Sequence, residues 1–175
     1  MEGGFKMYSL SNFKLLVEKQ KEIDAIYQQC DELKKTTVTP KISEEVDRFY
    51  TCCKTHLEQQ GFKVTLSSSK LIAEYKEAFI NIDKHSKDIE ECIFINLNNY
   101  VQDQLSIMLD IEYQQFEQII TYNLDGFSTV IEQVNEKLNQ AKNFQDACKA
   151  AKLIYKNNQN DIFHSADEAV NYYFK

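Results

Sequence analysis

Cys52, Cys53 and His56 are the residues of this 175-residue chain whose types and spacing come closest to chemistry. On a helix, positions four apart lie on one face, so the Cys52 thiolate and the His56 imidazole could reach the same point. That is half a zinc site, or a Cys and His dyad. Zinc needs about four ligands in tetrahedral geometry, and no second pair with Cys-x-x-Cys or His-x-x-x-His spacing completes the set. The expected role is therefore plainer: free thiols packed as small hydrophobes beside a partly exposed histidine.

The remaining candidates reduce in the same way. A carboxylate-bridged metal pair in a bundle needs Glu-x-x-His on two helices; the nearest approach is Asp161-x-x-His164, where Asp161 is better used as a helix cap. His85 sits in a polar joint and reads as solvated. Gly-x-x-x-x-Gly-Lys, Gly-x-Gly-x-x-Gly and Gly-x-Ser-x-Gly are all missing from a sequence with four glycines. No catalytic residue, cofactor or metal is expected. An enzyme with a dispersed site around Cys52, Cys53 and His56 stands as an alternative, because such a site leaves no local pattern.

Charge sorts the partners. The net charge of −7 is concentrated in the middle of the chain, and from Asp88 to Glu136 there is no lysine or arginine. Phosphate-backbone binding through that stretch is opposed by repulsion, so nucleic acid is not expected as a partner. Arg48 is the single arginine, which removes the usual bidentate donor. The five cysteines are odd in number and include the adjacent pair Cys52-Cys53, unlike a disulfide framework. With no long apolar run and no leader-like start, the expectation is a soluble cytoplasmic protein without a transmembrane segment.

Glycine and proline occur four times and once, against about twelve and nine at ordinary usage for this length. That scarcity removes the usual turn chemistry of β folds and points to an all-α chain, a single helical domain over 1–175 built as a bundle of about five to seven helices with coiled-coil character. The apolar spacing places helices near 9–35, 41–60, 69–84, 88–122, 126–141, 144–157 and 161–174. In the first, Phe13, Leu16, Val17, Ile23, Ile26, Tyr27, Cys30 and Leu33 are read as one inward stripe. Pro40 ends that helix and opens the next. Phe62, Val64 and Leu66 alternate as a short extended link, with no partner strand visible.

Residues Phe116-Glu117-Gln118-Ile119-Ile120-Thr121-Tyr122-Asn123-Leu124, followed by Ala141-Lys142-Asn143-Phe144-Gln145-Asp146-Ala147, resemble the phasins. Those are helical proteins that coat polyhydroxyalkanoate storage granules. The resemblance implies a helix pair able to lay an apolar stripe on a hydrophobic granule surface.

The residues together lead to a non-enzymatic helical adaptor, inhibitor or assembly subunit. Its expected protein-binding surface is acidic and aromatic: Asp103, Asp110, Glu112, Glu117, Tyr172, Tyr173 and Phe174. A partner with a basic face would suit it, and self-association into a homo-oligomer would satisfy long stripes equally well. Acidic mimicry of nucleic acid is a further alternative.

Overall fold

The structure, a computed structural model, describes residues 10–87, 90–98, 100–111 and 127–175. The chain divides into two compact units, one of Met1–Leu33 with Ile111–Lys149 and one of Lys34–Asp110 with Ala150–Lys175.

The first unit is built on α1 (Leu10–Leu33) and α3 (Phe127–Ala150). In α1 the buried residues are Ile23, Ile26 and Cys30; in α3 they are Val134, Leu138, Ala141, Phe144 and Cys148. Steps of three and four put each set on one side of its helix. Glu22 pairs with Lys142 at 2.8 Å, and Gln145 donates to Gln29. Partner numbers rise together along both helices, so the two run parallel.

In the second unit a π-helical segment (Lys34–Val38) leads into α2 (Thr39–Gln59). Among the described residues seven strands follow in a single antiparallel meander: β1 (Lys63–Leu66), β2 (Lys70–Tyr75), β3 (Ala78–Lys87), β4 (Glu90–Leu97), β5 (Tyr100–Leu109), β6 (Leu153–Asn157) and β7 (Ile162–Phe163). α4 (Ala166–Tyr173) closes the unit. Period-two alternation turns Leu71, Ala73, Ile80, Ile82, Ile93, Ile95, Leu105, Ile107 and Leu109 to one face, where all are buried. α2 covers that face with Ile42, Val46, Phe49, Tyr50, Cys53 and Leu57, and α4 packs on α2 and β7. In β5 the register slips by one: Ile95 faces Asp103 while Asn96 faces Val101, a bulge that leaves Asp103 in phase with Leu105 and Ile107 on the covered face.

The all-α bundle is therefore overturned, and with it the coiled coil and the acidic helical surface. Residues expected in helices 69–84 and 88–122 form β2 to β5, with 112–122 outside the described residues. The expected joint at Asn143 does not exist, since α3 runs unbroken to Ala150; 153–157 is a strand; and α4 starts at Ala166, after Ser165 rather than Asp161. The physical cause is shared. Ile93 and Leu97 within β4, and Leu105 and Leu109 within β5, stand four residues apart, a spacing that keeps one side in a strand as well as in a helix. Turn chemistry came from elsewhere than glycine: Lys76, Asn98 and Asn160 take positive φ (53°, 49° and 68°), Asn98 in the link from β4 to β5 and Lys76 in the two-residue link from β2 to β3. Asparagine enters the left-handed region more readily than other side chains. Pro40 opens α2 as expected, in the first turn, where its missing amide is not needed, while the segment before it is π-helical rather than a break.

Candidate functional site

Cys52 and His56 lie one turn apart on α2 and face α4 across a groove of about 310 Å³, lined also by Thr55, Asp167, Val170 and Asn171. α4 is placed there by its cap. The Ser165 hydroxyl accepts from the Glu168 amide at 3.2 Å, satisfying one free amide of the helix start, and the Glu168 carboxylate accepts from the amide of His164, the residue before the cap, at 2.7 Å. Asp167 is thereby set in the first turn, within 3.6 Å of the Cys52 sulfur, which donates to it.

The wiring is not that of a Cys and His catalytic pair. Burial first, and then the negative charge of Asp167, push the Cys52 thiol above its ordinary value. A reactive thiol needs the opposite, a positive neighbour that favours thiolate. His56 Nε2 bonds to the Phe174 carbonyl at 2.6 Å. A carbonyl only accepts, so Nε2 carries the proton and is not available as a base at that atom. Cys53 is fully buried, with its thiol pushed well up by burial. Among the described residues, no group of three or more histidine, cysteine or acidic side chains is placed to hold a metal ion. What this groove does in the fold is clasp α4 to α2.

Four of the seven sequence-derived site residues come together at the end of α4. Tyr173 donates to Asp103 at 3.0 Å, Tyr172 donates to Asp161 at 3.3 Å, and Phe174 supplies the carbonyl held by His56. Tyr172 rests against Phe163 and Tyr173, with ring centres 5.0 and 5.1 Å away, and remains 43% exposed. Burial, and after it Asp103, raise the Tyr173 hydroxyl's pKa. Asp110 stands apart from this cluster and pairs with Lys152. Glu112 and Glu117 lie outside the described residues. Thus the two described acids of the set are engaged inside the unit, and the aromatics serve largely to fasten α4.

Sequence reasoning missed Asp167, Asp161 and Asn157 as members of this arrangement. Asn157 is buried; its side-chain oxygen accepts from the Gln159 and Asp161 amides at 3.0 and 2.8 Å, and its nitrogen donates to the Asp161 carboxylate at 3.0 Å. The usable signal was local: Ser165-x-x-Glu168 is a capping box, and Asn157-Asn158-Gln159-Asn160-Asp161 carries turn residues.

A different surface is exposed without such engagement. Leu10, Phe13 and Val17 are 80%, 62% and 38% accessible. At 3.6 residues per turn they lie about 140° around α1 from Ile23, Ile26 and Cys30, so Phe13 and Val17 lie off the inward stripe to which their spacing assigned them. They form a second apolar stripe, i, i+3 and i+7, facing outward. Known protein families, curated proteins and solved structures were compared with the chain, and none matches. No described helix is long and apolar enough to cross a membrane.

Proposed function

We propose that this chain is a non-enzymatic protein-interaction module that engages its partner through the outward stripe of α1. The observation that carries the reading is the exposure of Leu10, Phe13 and Val17 on one side of a helix whose other side is already occupied. Apolar side chains at i, i+3 and i+7 are how a helix anchors in a partner's groove. Burying three such residues is worth roughly 1.5–3 kcal/mol each, enough to matter once the cost of association is met. The raised Cys52 thiol and the committed Nε2 of His56 support the non-enzymatic half of the proposal.

The acidic surface offered by the sequence is less favoured, because Asp103 and Asp110 are spent on Tyr173 and Lys152. The test is comparative capture with the full chain and with its Phe13→Glu, Val17→Glu double variant. Proteins retained by the first and lost by the second are the expected result. Identical sets from both would end this reading.

A further inference from the structure

Glu91 is the one charged side chain buried among the described residues, at 8% exposure. Asn157, the other buried polar group, spends its amide on its own turn. Glu91 is less well served: the Ser86 hydroxyl donates to its Oε1 at 3.0 Å. One neutral hydroxyl is small compensation for a carboxylate taken out of water. Tyr50, whose hydroxyl feels the Glu91 charge, donates instead to the Ser69 and Ile82 carbonyls at 3.2 and 3.4 Å.

The carboxylate borders a cavity of about 180 Å³ between the first turns of α2 and the paired strands β3 and β4. Register sets Ser86 opposite Glu91 and Lys84 opposite Ile93, so all of these turn to the face that α2 covers. Lys84 is therefore a diagonal neighbour of Glu91, at a separation that a long side chain spans. It lines the same cavity, yet the two make no ion pair among the described residues. From the other wall Thr39 and Ser43, one helical turn apart, bring two hydroxyls. Ile42 and Val46, both buried, form an apolar floor. Lys87 and Glu90, opposite each other in register, offset one another at the rim.

We propose that this cavity binds a small α-amino acid, with the ligand's ammonium on the Glu91 carboxylate and the ligand's carboxylate on the Lys84 ammonium. Two opposite charges that border one small space without meeting are satisfied together by a ligand carrying the complementary pair a few ångströms apart. The Thr39 and Ser43 hydroxyls, each able to donate and accept, take the remaining bonds. Ile42 and Val46 receive a short aliphatic side chain. At roughly 30 Å³ per water the cavity equals about six waters, which suits a ligand the size of valine and excludes an aromatic one. The site lies wholly within the second unit, so it stands or falls independently of the α1 stripe.

Calorimetric titration of the full chain with L-valine, and with its two halves isobutylamine and isovalerate, tests the assignment. Valine is expected to bind saturably and at least tenfold more tightly than either half, because each half leaves one charge of the site unanswered. Glu91→Gln should weaken valine at least tenfold. Lys84→Met should erase the preference for valine over isobutylamine. Ser43 is exposed, so Ser43→Phe should leave the melting temperature unchanged while its ring fills the cavity mouth and abolishes binding, a loss that unfolding does not explain.

Absence of both heat and amide NMR shifts at Ser43 and Glu91 with millimolar valine would overturn the proposal. Isobutylamine binding as tightly as valine would make this a site for simple cations, and isovalerate doing so would make it a site for anions; either result overturns the amino acid. Valine binding that survives both Glu91→Gln and Ser43→Phe would lie elsewhere on the chain and remove the cavity from the argument.

Discussion

Cys52 illustrates how a neighbour decides what a residue type can do. Four positions from a histidine, it has the spacing of a nucleophile, yet its nearest charge is the Asp167 carboxylate, which disfavours thiolate. Alkylation at neutral pH should be slower than for a free thiol, and Asp167→Asn should speed it severalfold by removing the opposing charge; mass spectrometry of iodoacetamide adducts over time reads both. An unaccelerated variant would show that burial alone holds the thiol protonated. The tyrosines carry a second residue-level consequence. Tyr50, Tyr155 and Tyr173 all have hydroxyls raised above the ordinary tyrosine value of 10.0, in each case by burial first. A group whose pKa is higher in the fold contributes stability that is complete below its unfolded value and is lost as pH climbs toward its folded one. Unfolding free energy should therefore decline above about pH 10. Tyr155 donates to Glu45 Oε2 at 2.7 Å, so Tyr155→Phe should cost about 1–2 kcal/mol near pH 7 and make the alkaline decline shallower in urea titrations.

Turns rather than helices or strands decided the class of this fold. A meander of seven strands was reached with no described glycine in the links from β2 to β3 or from β4 to β5, because Lys76 and Asn98 accept positive φ. Asn98 adds a side-chain contribution by accepting from the Phe79 amide at 2.9 Å. Replacing it with alanine removes that bond and leaves a β-carbon in a left-handed position, which should cost about 1–2 kcal/mol. Asn98→Gly keeps the backbone relaxed and loses only the bond, so chemical denaturation should rank wild type, glycine and alanine in that order. Equal stability for the two variants would mean the conformational term is negligible here.

Across the molecule, the core side chains and the proposed docking side chains are different residues. Phe49 is fully buried between α2 and the sheet, beside Tyr50 and Tyr155 with ring centres 6.4 and 6.0 Å away. Phe49→Ala should lower stability by about 3–5 kcal/mol through the cavity it leaves. Phe13→Glu should leave stability within about 0.5 kcal/mol, as exposed positions do, while removing partner binding. Thermal denaturation of the two variants side by side checks the contrast. A large loss for Phe13→Glu would place that side chain in a core and remove the reason for treating it as a docking residue.

How much of this could be read from the residues follows from which interactions are local. The helical character of α1 and α2 and the extended conformation at Val64 and Leu66 depend on neighbours within a few positions, and the residue order carried them; the Ser165-x-x-Glu168 capping signal is equally local, but the expected cap was Asp161. The sheet did not declare itself, because apolar residues four apart suit both a strand and a helix and because asparagine and lysine made turns usually left to glycine. Only pairing of distant strands resolved that ambiguity: Ile93 lies beside Leu105 across the ladder, and Tyr155 returns to Ile107 after the whole of α3. The same holds for the surfaces open to a partner. Which acids are free, which aromatics are fastened and which side of α1 stays open are questions of long-range contact, and they were answered by Asp103 meeting Tyr173, Asp167 meeting Cys52 and Phe13 remaining exposed.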